Sequence, residues 1–181
     1  MNIGLLLIRL VVGGLFVGHG TQKLFGWFGG NGLEGTGGWL ASLGYGPGRR
    51  MAMVAGVTET GGGLLLILGL LTPLGSAAII GMMVAATLSV HIDRGLWNSN
   101  GGYELPLVFA VAALAMAFAG PGSFSLDNAF GLANGGSVEA IGALIVGAGT
   151  ALLLEGLRRG KIREDQAAAD EEGPGEERPA A

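Results

Sequence analysis

Five apolar stretches divide this chain: Ile3–Gly20, Val54–Leu71, Leu74–Val90, Leu105–Ala119 and Val138–Leu157. Each approaches the roughly 20 residues that an α-helix needs to cross the hydrocarbon of a bilayer. Charged residues make up 13% of the chain, against about a quarter in soluble domains. Water is therefore the wrong solvent for it. The expected fold class is an all-α polytopic membrane protein. Residues 1–132 form a four-helix membrane domain with an interfacial loop over 24–49, and residues 133–157 hold a fifth transmembrane helix. Residues 158–181 form a charged, disordered cytoplasmic tail. Thr72-Pro73 separates the second and third stretches, and Pro121-Gly122 ends the fourth, because proline cannot continue a helix that needs its N–H.

The remaining composition fits this class. Glycine is abundant at 37 residues, as expected where small residues let membrane helices approach closely. Ala143 and Gly147, four apart in the last stretch, are expected to present such a face to a partner, whether the same chain or another. There is no cysteine, which excludes a thiol relay, a cysteine nucleophile and an iron–sulfur cluster on cysteine ligands. No basic stripe with interleaved aromatics occurs, so nucleic acid is not an expected partner. From Arg158 onward five Lys and Arg face seven Asp and Glu, and beyond Glu164 the tail reads as disordered.

Loop charges set the direction of the spans. With five crossings, Lys23, Arg49, Arg50, Arg94 and the cluster Arg158, Arg159, Lys161 and Arg163 fall on one side, and no Lys or Arg falls on the other. By the positive-inside rule this places the N-terminus outside and the C-terminus in the cytoplasm, in a plasma membrane. The first stretch lacks a basic leader and a small-residue cleavage site, and Arg9 interrupts it, so it reads as a span rather than a signal peptide. Trp27, Phe28, Trp39 and Tyr45 mark the loop that follows as interfacial, with a short helix near Glu34–Leu43.

Ionisable residues inside such stretches are the candidate site, because placing one at a helix centre costs several kcal/mol, roughly 2.5–3.5 on insertion scales. From the rise per residue, Arg9 lies about 9 Å below the outer end, His19 about 15 Å further in, and Glu59 about 8 Å inside the cytoplasmic end. His19, Lys23, Glu59, His91 and Glu104 then reach one cytoplasmic-side layer, with Tyr103 beside them and Arg9 apart. His19, Gln22 and Lys23 share a helix face by their spacing of three and four. Each residue also has a structural reading. Lys23 can snorkel to the headgroups, His19 and His91 can be hydrogen-bonded boundary residues, and Glu104 can cap its helix. Glu59 is expected to be paired with a cation such as Arg9 or His19, or held protonated by desolvation. Two histidines at one depth can also ligate a haem. No metal site is expected from the sequence, and a quinone is preferred to a haem as the cofactor.

Four spaced segments carry a family resemblance. Arg9-Leu10, Phe16 and His19-Gly20-Thr21-Gln22-Lys23-Leu24-Phe25-Gly26 resemble the first-helix motif of DoxX-type membrane proteins. Glu59 with the glycines after it resembles their second helix. His91, Gly95, Trp97 and Gly101-Gly102-Tyr103-Glu104-Leu105-Pro106 resemble the third loop and the start of the fourth helix. Pro121-Gly122 and Ser125-Leu126-Asp127 resemble the end of the domain. The likeness covers residues 3–132 and implies a four-helix membrane bundle. It also implies an association with redox assemblies, since some members are described as subunits of thiosulfate:quinone oxidoreductase and others as membrane parts of assemblies with superoxide dismutase.

Three functions follow as expectations. The first is an integral membrane subunit of a redox-linked assembly, itself a non-catalytic part of a quinone-linked oxidoreductase. It would bind a quinone at the His/Glu/Lys cluster. Glu59, His19 and His91 take the chemical roles there, and Arg9, Gln22, Lys23, Tyr103 and Glu104 the binding roles. The second is a scaffold in which the polar centre only locks the helices. The third is a proton-coupled carrier of a small solute. The expected partners are the lipid bilayer and a redox protein or further copies of the chain.

Overall fold

The structure, a computed structural model, describes residues 2–132 and 135–171, and its regular elements are all helices. They are α1 (Asn2–Phe25), α2 (Gly32–Ser42), α3 (Gly48–Leu68), α4 (Thr72–Ala86), α5 (Glu104–Ala119), the single turn α6 (Leu126–Ala129) and α7 (Ser137–Glu171). α4 continues through a π-helical turn, Thr87–His91, into a 3-10 turn, Ile92–Arg94. α1, α3, α4 with its continuation, and α7 are long and apolar enough to cross a membrane, while α5 is apolar but only 16 residues long. α2 is the short helix expected in the interfacial loop.

The helices overrun the apolar stretches at the end that holds Lys23, Arg49 and Arg158. α1 carries on through His19–Phe25, and α3 starts at Gly48 rather than Val54. α7 runs unbroken to Glu171, so residues 165–171 are helical rather than disordered, and the rest of the expected tail lies outside the described residues. A helix already nucleated in an apolar span can extend cheaply into Ala-, Glu- and Arg-rich sequence, which is why composition alone misplaced the boundary.

α4 is the central helix, packed on α3, α5 and α7, while α1 lies along α3. The core contains Phe16, Leu66, Ile79, Ile80, Ala113 and Met116. Small residues bring the backbones together: a Cβ at Gly13 would stand 2.6 Å from the Gly63 carbonyl oxygen, so α1 and α3 touch along their main chains. Ala143 and Gly147 are buried, and a Cβ at Gly147 would stand 2.5 Å from the Ala77 carbonyl oxygen. The small-residue face of α7 is thus covered by α4 of the same chain.

Polar contacts define the two ends of the bundle. At one end Arg9 of α1 meets the last carbonyls of α3 and the loop after α5, and Asp127 meets the start of α4. At the other end Leu43 and Tyr45, just before α3, meet Glu155 and Arg158 of α7. α5 starts beside the loop that follows α4, where the Glu104 N–H bonds the Leu96 carbonyl, and finishes at the Arg9 end.

Candidate functional site

Arg9 is 1% exposed, and four hydrogen bonds account for most of its guanidinium. Nε donates to the Leu66 carbonyl at 2.7 Å, Nη2 to Ile67 at 2.9 Å, and Nη1 to Pro121 at 2.6 Å and Phe124 at 2.9 Å. The last carbonyls of a helix have no intrahelical donor, and Arg9 supplies one for α3. Gly69 ends that helix in the left-handed region at φ 60°, and a Cβ there would stand 2.5 Å from the Arg9 Cζ. Close by, the Asp127 carboxylate accepts from the Leu71 and Thr72 N–H groups and the Thr72 hydroxyl at 2.8–3.0 Å, capping α4. Every partner of Arg9 is backbone of its own chain. The ligand-binding role expected of Arg9 has no support in this geometry.

The residues expected to share one layer divide into two groups. In the first, Lys23 Nζ lies 2.6 Å from Glu59 Oε2, with side-chain exposures of 22% and 5%. Lys23, rather than Arg9 or His19, is thus the cation that Glu59 needs, and it turns inward rather than snorkelling. One turn earlier, His19 faces outward and is exposed. Its Nδ1 lies 3.1 Å from Gln22 Oε1, and Gln22 Nε2 donates to the Phe28 carbonyl at 3.3 Å. Phe28 holds a left-handed backbone, φ 52° and ψ 34°, a conformation that costs a non-glycine residue about 1–3 kcal/mol. It borders an open groove of about 350 Å³ on the outward side of α1, lined by Gly14, Leu15, Val17, Gly18, His19, Gln22 and Phe28. Gly14 and Gly18 leave the floor open, and His19 and Gln22 are its only polar side chains.

In the second group His91 Nδ1 lies 2.6 Å from the Gly101 carbonyl, and Glu104 accepts from the Asn98 N–H at 2.9 Å. Both close the loop between α4 and α5 on itself. Tyr103 lies just before α5. Among the described residues, no hydrogen bond or ion pair joins His91, Tyr103 or Glu104 to His19, Lys23 or Glu59. The expected layer is thus held by separate local contacts: Lys23 with Glu59, His19 with Gln22, and His91 and Glu104 within their own loop. Depth along a helix says nothing of azimuth, and the π-helical turn at Thr87–His91 turns His91 toward its own loop.

A third polar cluster was missed by sequence reasoning. Glu155 is buried and accepts from Arg158 at 2.6 and 2.7 Å, Arg159 at 2.6 Å and the Tyr45 hydroxyl at 3.3 Å. Arg158 also donates to the Leu43 carbonyl at 2.7 Å and lies over the Tyr45 ring. Burial pushes the Tyr45 phenol above its ordinary value, which keeps it a donor to Glu155. Glu155 within an apolar run was the available signal, but Arg158 and Arg159 one turn later made it read as part of a solvated tail.

The DoxX family model matches residues 4–92, the segment that builds α1–α4, the Lys23–Glu59 pair and the groove. An uncharacterized protein of Haemophilus influenzae is 35% identical over 132 residues, covering 68% of this chain and 87% of the relative. The chain belongs to the DoxX family. A second uncharacterized protein of the same organism is 36% identical over 64 residues, or 35% of this chain and 42% of that one. No solved structure matches. The DoxX match ends at Ile92, so α5 and α7 lie outside it, although Arg9 and Asp127 tie the loop after α5 to the matched helices.

Proposed function

We propose that this DoxX protein is a membrane subunit of a redox-linked assembly that takes a quinone headgroup into the α1 groove beside His19 and Gln22. The observation that carries the reading is that groove. It opens toward lipid, where a quinone resides, its floor is apolar, and its two polar side chains sit together at one end. A strained Phe28 forming one wall supports a built site, because such strain persists where the surrounding structure imposes it. The Lys23–Glu59 pair lies next to it and holds charge within the bundle. Electrons would come from a partner redox protein.

Five crossings with the N-terminus outside accord with this reading. α5 returns from the loop after α4 toward Arg9, and the basic ends of α1, α3 and α7 gather with Tyr45 and Arg158, which the positive-inside rule would assign to the cytoplasm. The groove then faces the cytoplasmic leaflet. A photoreactive azidoquinone offered to the purified protein in lipid should label the peptide Gly14–Phe28, and excess unmodified quinone should suppress the label. Labelling spread over the lipid-facing helices, without competition, would remove the site.

A second reading, a scaffold without chemistry, is favoured by one observation: Arg9, Asp127, Glu59 and Glu155 all have partners within the chain. In that case Glu59→Gln weakens assembly or thermal stability, while quinone-linked electron transfer in membranes, normalised to assembled protein, stays unchanged.

A further inference from the structure

The hydrogen bonds around Gln22 fix more than the position of His19. The Gln22 amide nitrogen donates to the Phe28 carbonyl, which leaves the amide oxygen turned toward His19. An amide oxygen can only accept, so the hydrogen between them belongs to His19 Nδ1. In the neutral imidazole the other nitrogen, Nε2, then carries a lone pair and no hydrogen. Among the described residues nothing on the protein bonds Nε2, and His19 lines the open groove. What the groove offers to an occupant at this point is an acceptor.

We propose that the groove selects the hydroquinone form over the quinone, with His19 Nε2 accepting a hydrogen bond from a ring hydroxyl and Gln22 acting as the positioning residue that sets the imidazole tautomer. This rests on the quinone reading above and narrows it to one oxidation state. A quinone carbonyl brings a second acceptor against Nε2 and gains nothing there, whereas a hydroxyl supplies the missing donor. In lipid the difference is sharpened, because a hydroxyl without a partner has no water to turn to. Phe28 takes part through its backbone: its left-handed turn brings its carbonyl to the Gln22 amide, and its side chain lines the same groove.

The test is binding of a short-chain ubiquinol, kept reduced under anaerobic conditions, and of the matching ubiquinone to the protein in lipid nanodiscs, read by quenching of tryptophan fluorescence. The expected result is a preference for the quinol on the order of tenfold, the worth of about one net hydrogen bond. His19→Ala should abolish the preference and weaken quinol binding by a similar factor. Gln22→Leu should reduce the preference while keeping binding, since the imidazole is then free to present either nitrogen. His19 and Gln22 point away from the core, so melting temperatures of both variants should match the wild type. Equal affinity for the two forms, lost together in His19→Ala, would overturn the selectivity and leave the quinone site standing. Tighter binding of the quinone would overturn it as well. Binding of neither form would remove the quinone reading itself.

Discussion

The two ends of α1 handle ionisable side chains in opposite ways. Near its N-terminal end, Arg9 is sealed at 1% exposure by four carbonyls drawn from α3 and the segment after α5, and Asp127 is spent on capping α4. Near its C-terminal end, Glu59 has one cation among the described residues, Lys23, that stays partly accessible, and exposed His19 lines an open groove. A buried charge whose partners are all backbone has its geometry and its protonation state fixed together. A charge held by a single partly exposed side chain beside an open histidine keeps capacity to respond. The difference separates a joint from a site within one helix.

That contrast can be broken at several points. The largest effect belongs to Arg9→Met, which strips donors from four carbonyls at once. A loss of about 3–5 kcal/mol, or failure to assemble, is expected in thermal unfolding in mild detergent. Arg9→Lys should recover little, because a point ammonium cannot serve carbonyls on both α3 and the following loop. Next comes Lys23→Met, which leaves Glu59 buried and unpaired. A loss of about 1–3 kcal/mol is expected, moderated by the partial exposure of the pair. The double variant Lys23→Met/Glu59→Leu should recover much of it, since an apolar pair replaces an ionic one. A double variant no more stable than the single would mean that Glu59 has further partners.

Asp127→Asn should cost about 1–2 kcal/mol, because an amide retains only one of the two acceptor oxygens used by Leu71 and Thr72. Smallest in stability is His19→Ala, expected within about 0.5 kcal/mol of wild type, with its effect confined to ligand binding. If His19→Ala destabilised the protein as much as Asp127→Asn, the division between joint and site would fail.

Much of this was legible in the sequence, for reasons that can be named. The spans follow from apolar runs, and Arg9 and Glu59 stand out because charge in such runs is costly. The spacing His19, Gln22, Lys23 suggested one polar side of α1, and the structure keeps His19 with Gln22 but turns Lys23 inward to Glu59. Pairing across helices was not legible, since depth fixes height along the bundle but not rotation. Lys23 therefore had two fates that sequence could not separate, and the bond of His91 to the Gly101 carbonyl of its own loop could not be read from depth. Arg9 and Asp127 act through backbone groups far away in the chain, which no local pattern encodes. The groove was invisible because it depends on Gly14 and Gly18 being left uncovered and on the left-handed turn at Phe28.

The most direct measurement of the central claim is mass spectrometry of the organic extract from protein purified in native lipid, comparing wild type with His19→Ala. A quinone, counted together with its quinol, near one per chain in the wild type, with the quinol share lost from the variant while its melting temperature is unchanged, is the expected result. A wild-type extract holding only bulk lipid, or a quinone retained undiminished by His19→Ala, would contradict a quinone site at this groove.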